Sequence, residues 1–301
     1  MAGMKNIKLT ILTPTYNRGH LLPQVFASLQ EQTEKDFEWL VIDDGSTDNT
    51  EEYMKSLPMV DFTVQYHRKK NGGKHTAMNY SHPYIHGELV LILDSDDYLI
   101  PETVELILND WRKYADRASV GVLSYEKGER NGVIISERAD VPDYYVSDDI
   151  HFIVNNGVGG DRAEVVRTEV FKKFPLPAHK NEKFMSEGWL WNSIAGLYRT
   201  VYIKKVIYIC EYLDGGLTKR GRKLRMQSPL NMMDSCKTFF HREVCLKIQI
   251  KEMLLYCVYG LCSDLPMNKW IKNSGRVGQI VAILPIGWLL FRYWKWKYRL
   301  D

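Results

Sequence analysis

Glu88-Leu89-Val90-Leu91-Ile92-Leu93-Asp94-Ser95-Asp96-Asp97 is the stretch on which the fold of this 301-residue chain turns. Five consecutive apolar residues, Leu89 to Leu93, read as a strand buried on both faces, as in a parallel sheet. Three carboxylates follow within four residues, ahead of a helix-like segment that opens at Pro101. Open α/β sheets bind their ligands beyond the carboxyl ends of the strands. Carboxylates released there can hold a divalent cation against a phosphate.

Upstream of this stretch, strand and helix patterns alternate. Lys8 to Thr13, Glu38 to Asp43 and Phe62 to His67 read as strands. Leu21 to Gln32 reads as a helix with Leu22, Val25, Phe26 and Leu29 on one face, and a shorter helix runs to about Met54 after the turn Gly45-Ser46-Thr47-Asp48. The glycine loop Asn71-Gly72-Gly73-Lys74 precedes another short helix. Such alternation predicts an α/β fold, a Rossmann-like and mostly parallel sheet flanked by helices.

Downstream the pattern is less regular. Val120 to Tyr125 and Arg162 to Val166 read as strands, Glu187 to Ala195 as a helix, and Val201 to Tyr208 as an extended segment. The expected organisation is a first half over residues 1–115, an α+β second half of the same domain over 116–222, and a helical extension over 223–301.

Composition narrows the class. With 45% apolar and 26% charged residues the chain can bury a substantial core. Its 40 Lys and Arg stand against 37 Asp and Glu, so the net charge of +3 gives no general attraction to nucleic acid. The five cysteines lie in the last third without Cys-x-x-Cys spacing, which argues against a disulfide scaffold or zinc site. Buried free thiols in a reducing cytoplasm are expected. Met1 to Lys8 leads straight into a strand pattern, without an apolar signal region.

Two further strand ends carry chemistry. Thr13-Pro14-Thr15-Tyr16-Asn17-Arg18 follows the first strand and Asp43-Asp44-Gly45-Ser46-Thr47-Asp48 the second. A Tyr face can stack on a flat base, and a buried carboxylate can accept the imide hydrogen of uracil. Taken singly, each segment also reads as an ordinary turn or helix cap.

Together, Thr13 to Arg18, Val41 to Asp48, Asn71 to Asn79 and Leu93 to Pro101 resemble the four successive signatures of family 2 glycosyltransferases with the GT-A fold. The match covers residues 7 to 115 in order, and Gly160-Asp161-Arg162 and Glu182-Lys183-Phe184-Met185-Ser186-Glu187 extend it into the second half. The resemblance implies that Thr13, Tyr16 and Asp43 hold the nucleotide base, and that Asn71, Gly73 and Lys74 approach the base or diphosphate. It also implies that Asp94, Asp96 and Asp97 bind a Mn or Mg ion and the donor ribose or sugar. Asp96 is the leading metal ligand, Asp94 faces the ribose or the metal, and Asp97 faces the donor sugar. A solvated charge at a helix start is the plainer reading of Asp97.

Transfer needs a base for the acceptor hydroxyl, and a carboxylate on the acceptor side can serve. Similar enzymes use a late acidic residue, often in a Glu-Asp pair, which corresponds here to Glu187 followed by Gly188. Glu182 is the alternative base. Trp189 and Trp191 offer aromatic faces for a sugar acceptor, although their spacing points them in different directions on a helix. The eight histidines form no metal set, and His75 beside Lys74 reads equally as a phosphate contact or a surface residue.

The tail is the second informative region. Ile280 to Phe291 is a 12-residue apolar run with Pro285 and Gly287, short of the roughly 20 residues of a spanning helix. Arg292-Tyr293-Trp294-Lys295-Trp296-Lys297-Tyr298-Arg299 then interleaves aromatics with cations, which suits an anionic membrane surface. A helix packed on protein is the competing reading.

The resemblance and the site residues together lead to an inverting, metal-dependent glycosyltransferase. It would move a sugar from a nucleotide donor, expected to be UDP-linked, to the hydroxyl of a lipid-linked saccharide at the inner face of the cell membrane. A nucleotidyltransferase and a non-catalytic saccharide-binding scaffold are the alternatives. No glycine-rich triphosphate loop near the first strand supports the former.

Overall fold

In the computed structural model residues 7–137, 139–210 and 217–298 are described. Strand β1 (Leu9–Thr15) lies between β2 (Phe37–Asp43) and β4 (Leu89–Ile92), and β3 (Thr63–Arg68) lies outside β2; all three pairings are parallel. Every residue of β1, β2 and β4 is buried, which explains why these segments lack polar alternation. Leu9 and Ile11 enter one core with Trp39 and Ile107, while Leu12 enters the other with Ile42 and Ile194. Period-two side chains thus serve both faces.

The helices α1 (Leu22–Gln30), α2 (Thr50–Lys55), α3 (Lys74–Ser81) and α4 (Thr103–Trp111) fall between the strands as predicted. The parallel order is broken by β8 (Arg162–Arg167), which runs antiparallel to both β4 and β6 (Val120–Glu129). With β5 (Tyr98–Leu99), β7 (Tyr144–Ser147) and β9 (Arg199–Cys210), the result is one mixed nine-stranded sheet, ordered β3-β2-β1-β4-β8-β6-β9-β5 with β7 beside β9. Both expected halves therefore share a sheet. Strands β1 to β4 all run parallel, and in the second half β6 and β9 also pair in parallel across from the reversed β8.

Helices α5 (Thr168–Lys173) and α6 (Gly188–Ala195) flank the second half. The extension forms α7 (Leu217–Met226), α8 (Pro229–Lys237), α9 (Leu246–Cys262), α10 (Met267–Asn273) and α11 (Val277–Tyr298). It has a core of its own, built from Met232, Met233, Met253, Tyr256, Tyr259, Trp270, Ile280 and Trp294. All five cysteines are free; Cys210, Cys236 and Cys257 are buried, whereas Cys245 is exposed, contrary to expectation.

The tail differs from its sequence reading. The apolar run ends at Phe291 as read, but the helix does not: Arg292 to Tyr298 continue it, and Pro285 is accommodated inside it. At 22 residues, roughly 33 Å, α11 is long and apolar enough by length and composition to cross a membrane. Ile280, Gly287 and Trp294 form its buried stripe, at the seven-residue spacing of a helix seam, and Gly287 packs tightly on Cys257 of α9. Arg299 lies outside the described residues.

Candidate active site

The loops after β1, β2, β3 and β4 gather at one end of the sheet because those strands are parallel. Hydrogen bonds then tie loop to loop. Asn17, at a φ of 52°, donates its N–H to Ser46 Oγ (2.9 Å) and accepts the Thr47 N–H at Oδ1 (2.7 Å). Asp48 accepts the Thr50 hydroxyl (2.5 Å), the Gly19 N–H (3.0 Å) and the Thr50 N–H (3.1 Å), and although burial opposes it, these bonds, the Thr50 hydroxyl foremost, hold its carboxyl below the usual range. Asp44 is buried and accepts from Lys69 Nζ (2.6 Å), Asn71 Nδ2 (3.2 Å) and the Gly72 and Gly73 N–H groups (2.9 and 2.6 Å).

A charged cluster occupies the rim. Lys74, the first residue of α3, bonds both Asp94 and Glu187, the latter at 2.6 Å. Arg18 donates to Asp96 Oδ2 at 2.7 Å. Burial alone would depress the Lys74 ammonium, but Asp94 and Glu187 overrule it and hold its pKa well above the usual range. Desolvation likewise works against the Asp94 carboxylate, yet Lys74, Lys127 and Arg18 keep its pKa low. The Asp94 N–H donates to the Tyr208 hydroxyl (2.9 Å), and Lys127 lies over the Tyr208 ring at 4.0 Å. Tyr208 thereby fixes the turn from beneath.

The sequence-derived residues divide accordingly. Lys74, Asp94, Asp96 and Glu187 come together, Asp97 is buried in the same turn, and Tyr16 stands 46% exposed at the mouth. Thr13 does not face the cleft: it is fully buried and its hydroxyl accepts the Trp39 indole N–H at 3.0 Å. Odd positions of β1 point into the core, so the side chain is spent there.

Asp43 is also fully buried, and its oxygens accept from Ser46 N–H (2.8 Å), Ser46 Oγ (2.6 Å) and Tyr66 Oη (2.7 Å). A base imide would have to share an oxygen already in use. Asn71 binds Asp44, and Gly73 makes its close approach to protein: at a φ of 96°, a Cβ there would fall 2.1 Å from the Lys183 carbonyl oxygen. Trp189 and Trp191 are half-buried against the sheet.

Glu182 is not placed as a base. Its two oxygens accept the Leu230 and Asn231 N–H groups, each at 2.7 Å, and so cap α8. His75 is buried rather than exposed, with neither ring nitrogen bonded, and burial depresses it to about 4.

Three site residues were not singled out from sequence. Arg18 belongs to the Thr13 to Arg18 motif without a role of its own there; Lys127 lies in β6 beside Glu126, where the local sequence reads as an ordinary charged pair. Glu164, half-buried on β8, is pushed up to about 8 by burial, with Asp149 and Glu187 adding to it against Lys127 and Arg162. An acidic residue inside a β-rich run was the available signal for Glu164.

Among the described residues no group of three or more His, Cys, Asp or Glu side chains is arranged to hold a metal. Asp94 and Asp96 nevertheless suit a hard divalent cation that takes its remaining ligands from a diphosphate. Both carboxylates are already paired with cationic side chains, as such a donor set requires when it stands alone.

A 108-residue stretch is 39% identical to an uncharacterised glycosyltransferase of Mycoplasma pneumoniae, covering 34% of this chain and 36% of that protein. Another, of 105 residues, is 37% identical to the chondroitin synthase of Pasteurella multocida, covering 35% of this chain and 11% of that one. The chain thus spans well under half the length of these relatives.

In fold it is similar to Staphylococcus aureus TarS 1-349 in complex with UDP-GlcNAc, with a TM-score of 0.60 and 19% identity over 98% of this chain and 76% of that one. It also resembles the mannosyltransferase PcManGT of Pyrobaculum calidifontis in complex with GDP-Man and Mn2+, at a TM-score of 0.54 and 18% identity over 95% and 82% of the two chains. Residues 10–168, more than half of the chain, match the profile of glycosyl transferase family 2, and the protein belongs to that family of enzymes.

Proposed function

We propose that the chain transfers a sugar, with inversion, from a UDP-linked donor to a hydroxyl of a lipid-linked saccharide. One observation carries this reading: the Lys74 ammonium joins Asp94, on the donor side, to Glu187, at the start of α6. Two hydrogen bonds in series keep these carboxylates within about 6 Å of each other. That leaves Glu187 near the bond that breaks beside the Asp94 turn.

In this reading Glu187 takes the proton of the acceptor hydroxyl as that oxygen attacks the anomeric carbon opposite the leaving diphosphate. Tyr16 stacks on the base, Asn71 and Gly73 shape the loop beneath it, and Lys74 and Arg18 turn toward the diphosphate. Asp97 borders the donor sugar. Trp189 or Trp191 offers a face to the acceptor. Asp96 and Asp94 would hold Mn2+ or Mg2+, which supplies electrostatic stabilisation of the departing diphosphate. The UDP-GlcNAc in TarS and the Mn2+ in PcManGT support the donor and the metal.

The test is UDP release from a panel of UDP-sugars, with GDP- and dTDP-sugars as controls, in the presence of a lipid extract and of Mn2+, Mg2+ or chelator. Metal-dependent release from one donor is expected. Glu187→Gln should reduce transfer by about 10²–10⁴-fold with little change in UDP affinity. Transfer that persists in chelator removes the metal from the mechanism, and an active Glu187→Gln removes the base.

For the setting, α11 presents Trp288, Leu289, Tyr293 and Trp296 to solvent alongside Arg292, Lys295 and Lys297. Interfacial contact with an anionic membrane accounts for that mixture. It fits an acceptor delivered at a cytoplasmic membrane face.

A further inference from the structure

The segment that carries Glu187 has no strand to hold it. From Pro175 to Ser186 the backbone is irregular, and it runs between two elements of different origin. On the donor side it meets Gly73 and Lys74, through the Lys183 carbonyl and the Glu187 carboxylate. On its other side it meets α8, whose Met232, Met233 and Cys236 belong to the core of the C-terminal helices rather than to either core of the sheet.

The contacts with α8 are specific and buried. Glu182 accepts the Leu230 and Asn231 N–H groups (2.7 Å each), which lie in the first turn of α8 where the helix dipole favours a carboxylate. Asn231, with no exposed surface, donates from Nδ2 to the Phe184 carbonyl (2.9 Å) and accepts the His179 N–H at Oδ1 (3.2 Å). The Phe184 N–H donates to Ser228 Oγ (3.2 Å). At the far end of α8, Thr238 Oγ1 accepts from Asn192 Nδ2 (3.2 Å) of α6, the helix that begins just after Glu187. One helix therefore holds the loop before Glu187 and the helix after it.

Placement of a catalytic group is sensitive to small errors: a 1 Å displacement can lower a rate about 10²-fold. We infer that α8 is a clamp for the catalytic carboxylate, with Glu182 and Asn231 as positioning residues that act through Glu187. The C-terminal helices are then part of the catalytic apparatus as well as an attachment. This rests on Glu187 serving as the base.

Glu182→Ala and Asn231→Ala test it in the full-length chain. Both should speed hydrogen exchange across residues 179–187 while leaving β1, β2 and β4 protected, and should leave the Kd for UDP within twofold. With UDP-GlcNAc as probe donor, each should lower kcat at least tenfold, and Glu182→Gln, which keeps one carbonyl acceptor, should recover part of the loss. In a Glu187→Gln background, adding Asn231→Ala should change the residual rate less than twofold, because the residue acts through Glu187. Unchanged exchange or an unchanged kcat overturns the clamp, as does a loss that multiplies in the Glu187→Gln background. A fully active Glu187→Gln instead overturns the base itself, and is read from that variant alone.

Discussion

Lys74 neutralises two carboxylates that would otherwise repel across the cleft, and its neighbourhood also holds two titrating groups that contribute to how the fold responds to pH. Glu164 is raised by burial to about 8 from an ordinary value of 4.5. Between those values the folded chain keeps a proton that the unfolded chain has released, so stability falls as pH rises through the window. His75, depressed by burial to about 4 from 6.5, does the opposite: between 4 and 6.5 the unfolded chain binds a proton that the fold refuses, and stability falls as pH drops. The two slopes oppose each other from 4.5 to 6.5, and Glu164 acts alone from 6.5 to 8. The Tm should therefore decline between pH 6.5 and 8, and Glu164→Gln should flatten that decline while His75→Gln leaves it in place. A Glu164→Gln profile parallel to the original over this interval in scanning calorimetry would refute the assignment. Neither behaviour was legible in the sequence, because both depend on what covers the side chain.

At the scale of elements, the close approach of α11 to α9 depends on one glycine. A Cβ at Gly287 would sit 2.6 Å from the Cys257 Cβ, closer than packed atoms tolerate. Gly287→Leu should push α11 off α9, cost about 1–3 kcal/mol as an overpacked contact, and raise the rate at which Cys257 reacts with a thiol reagent, read by peptide mass spectrometry. Unaltered Cys257 reactivity would mean that α11 is held elsewhere. In the sequence this glycine, two residues after Pro285, reads as an interruption of an apolar run. Its use as a contact appears only when the partner helix is present. Strands β1 to β4 and the helices of the first half were legible to within one or two residues, since strands buried on both faces read as continuous apolar runs and amphipathic helices leave a clear period; the two-residue β5, too short for any pattern, was not. The reversal at β8 was not, because a strand's direction is decided by its pairing.

Over the whole molecule, charge is polarised. Residues 265–300 hold seven Lys and Arg and no Asp or Glu, so within a net charge of +3 the remainder of the chain is net negative. On the proposed membrane setting, such a molecule should orient in the field of an anionic bilayer with α10 and α11 toward it. The full chain should sediment with vesicles containing anionic lipid, bind less at 0.5 M salt, and lose binding when residues 277–301 are deleted; equal binding by the truncated chain would refute the membrane seat. The sequence by itself determined the parallel half, its order of loops and the Asp94-Ser95-Asp96-Asp97 turn, because each depends on residues close together along the chain. Only the tertiary structure decided that Thr13 turns inward, that Glu182 caps α8, and that Lys74 joins Asp94 to Glu187. Those outcomes are set by which distant segment occupies the remaining space and supplies the hydrogen-bond partner, and local pattern carries no record of that.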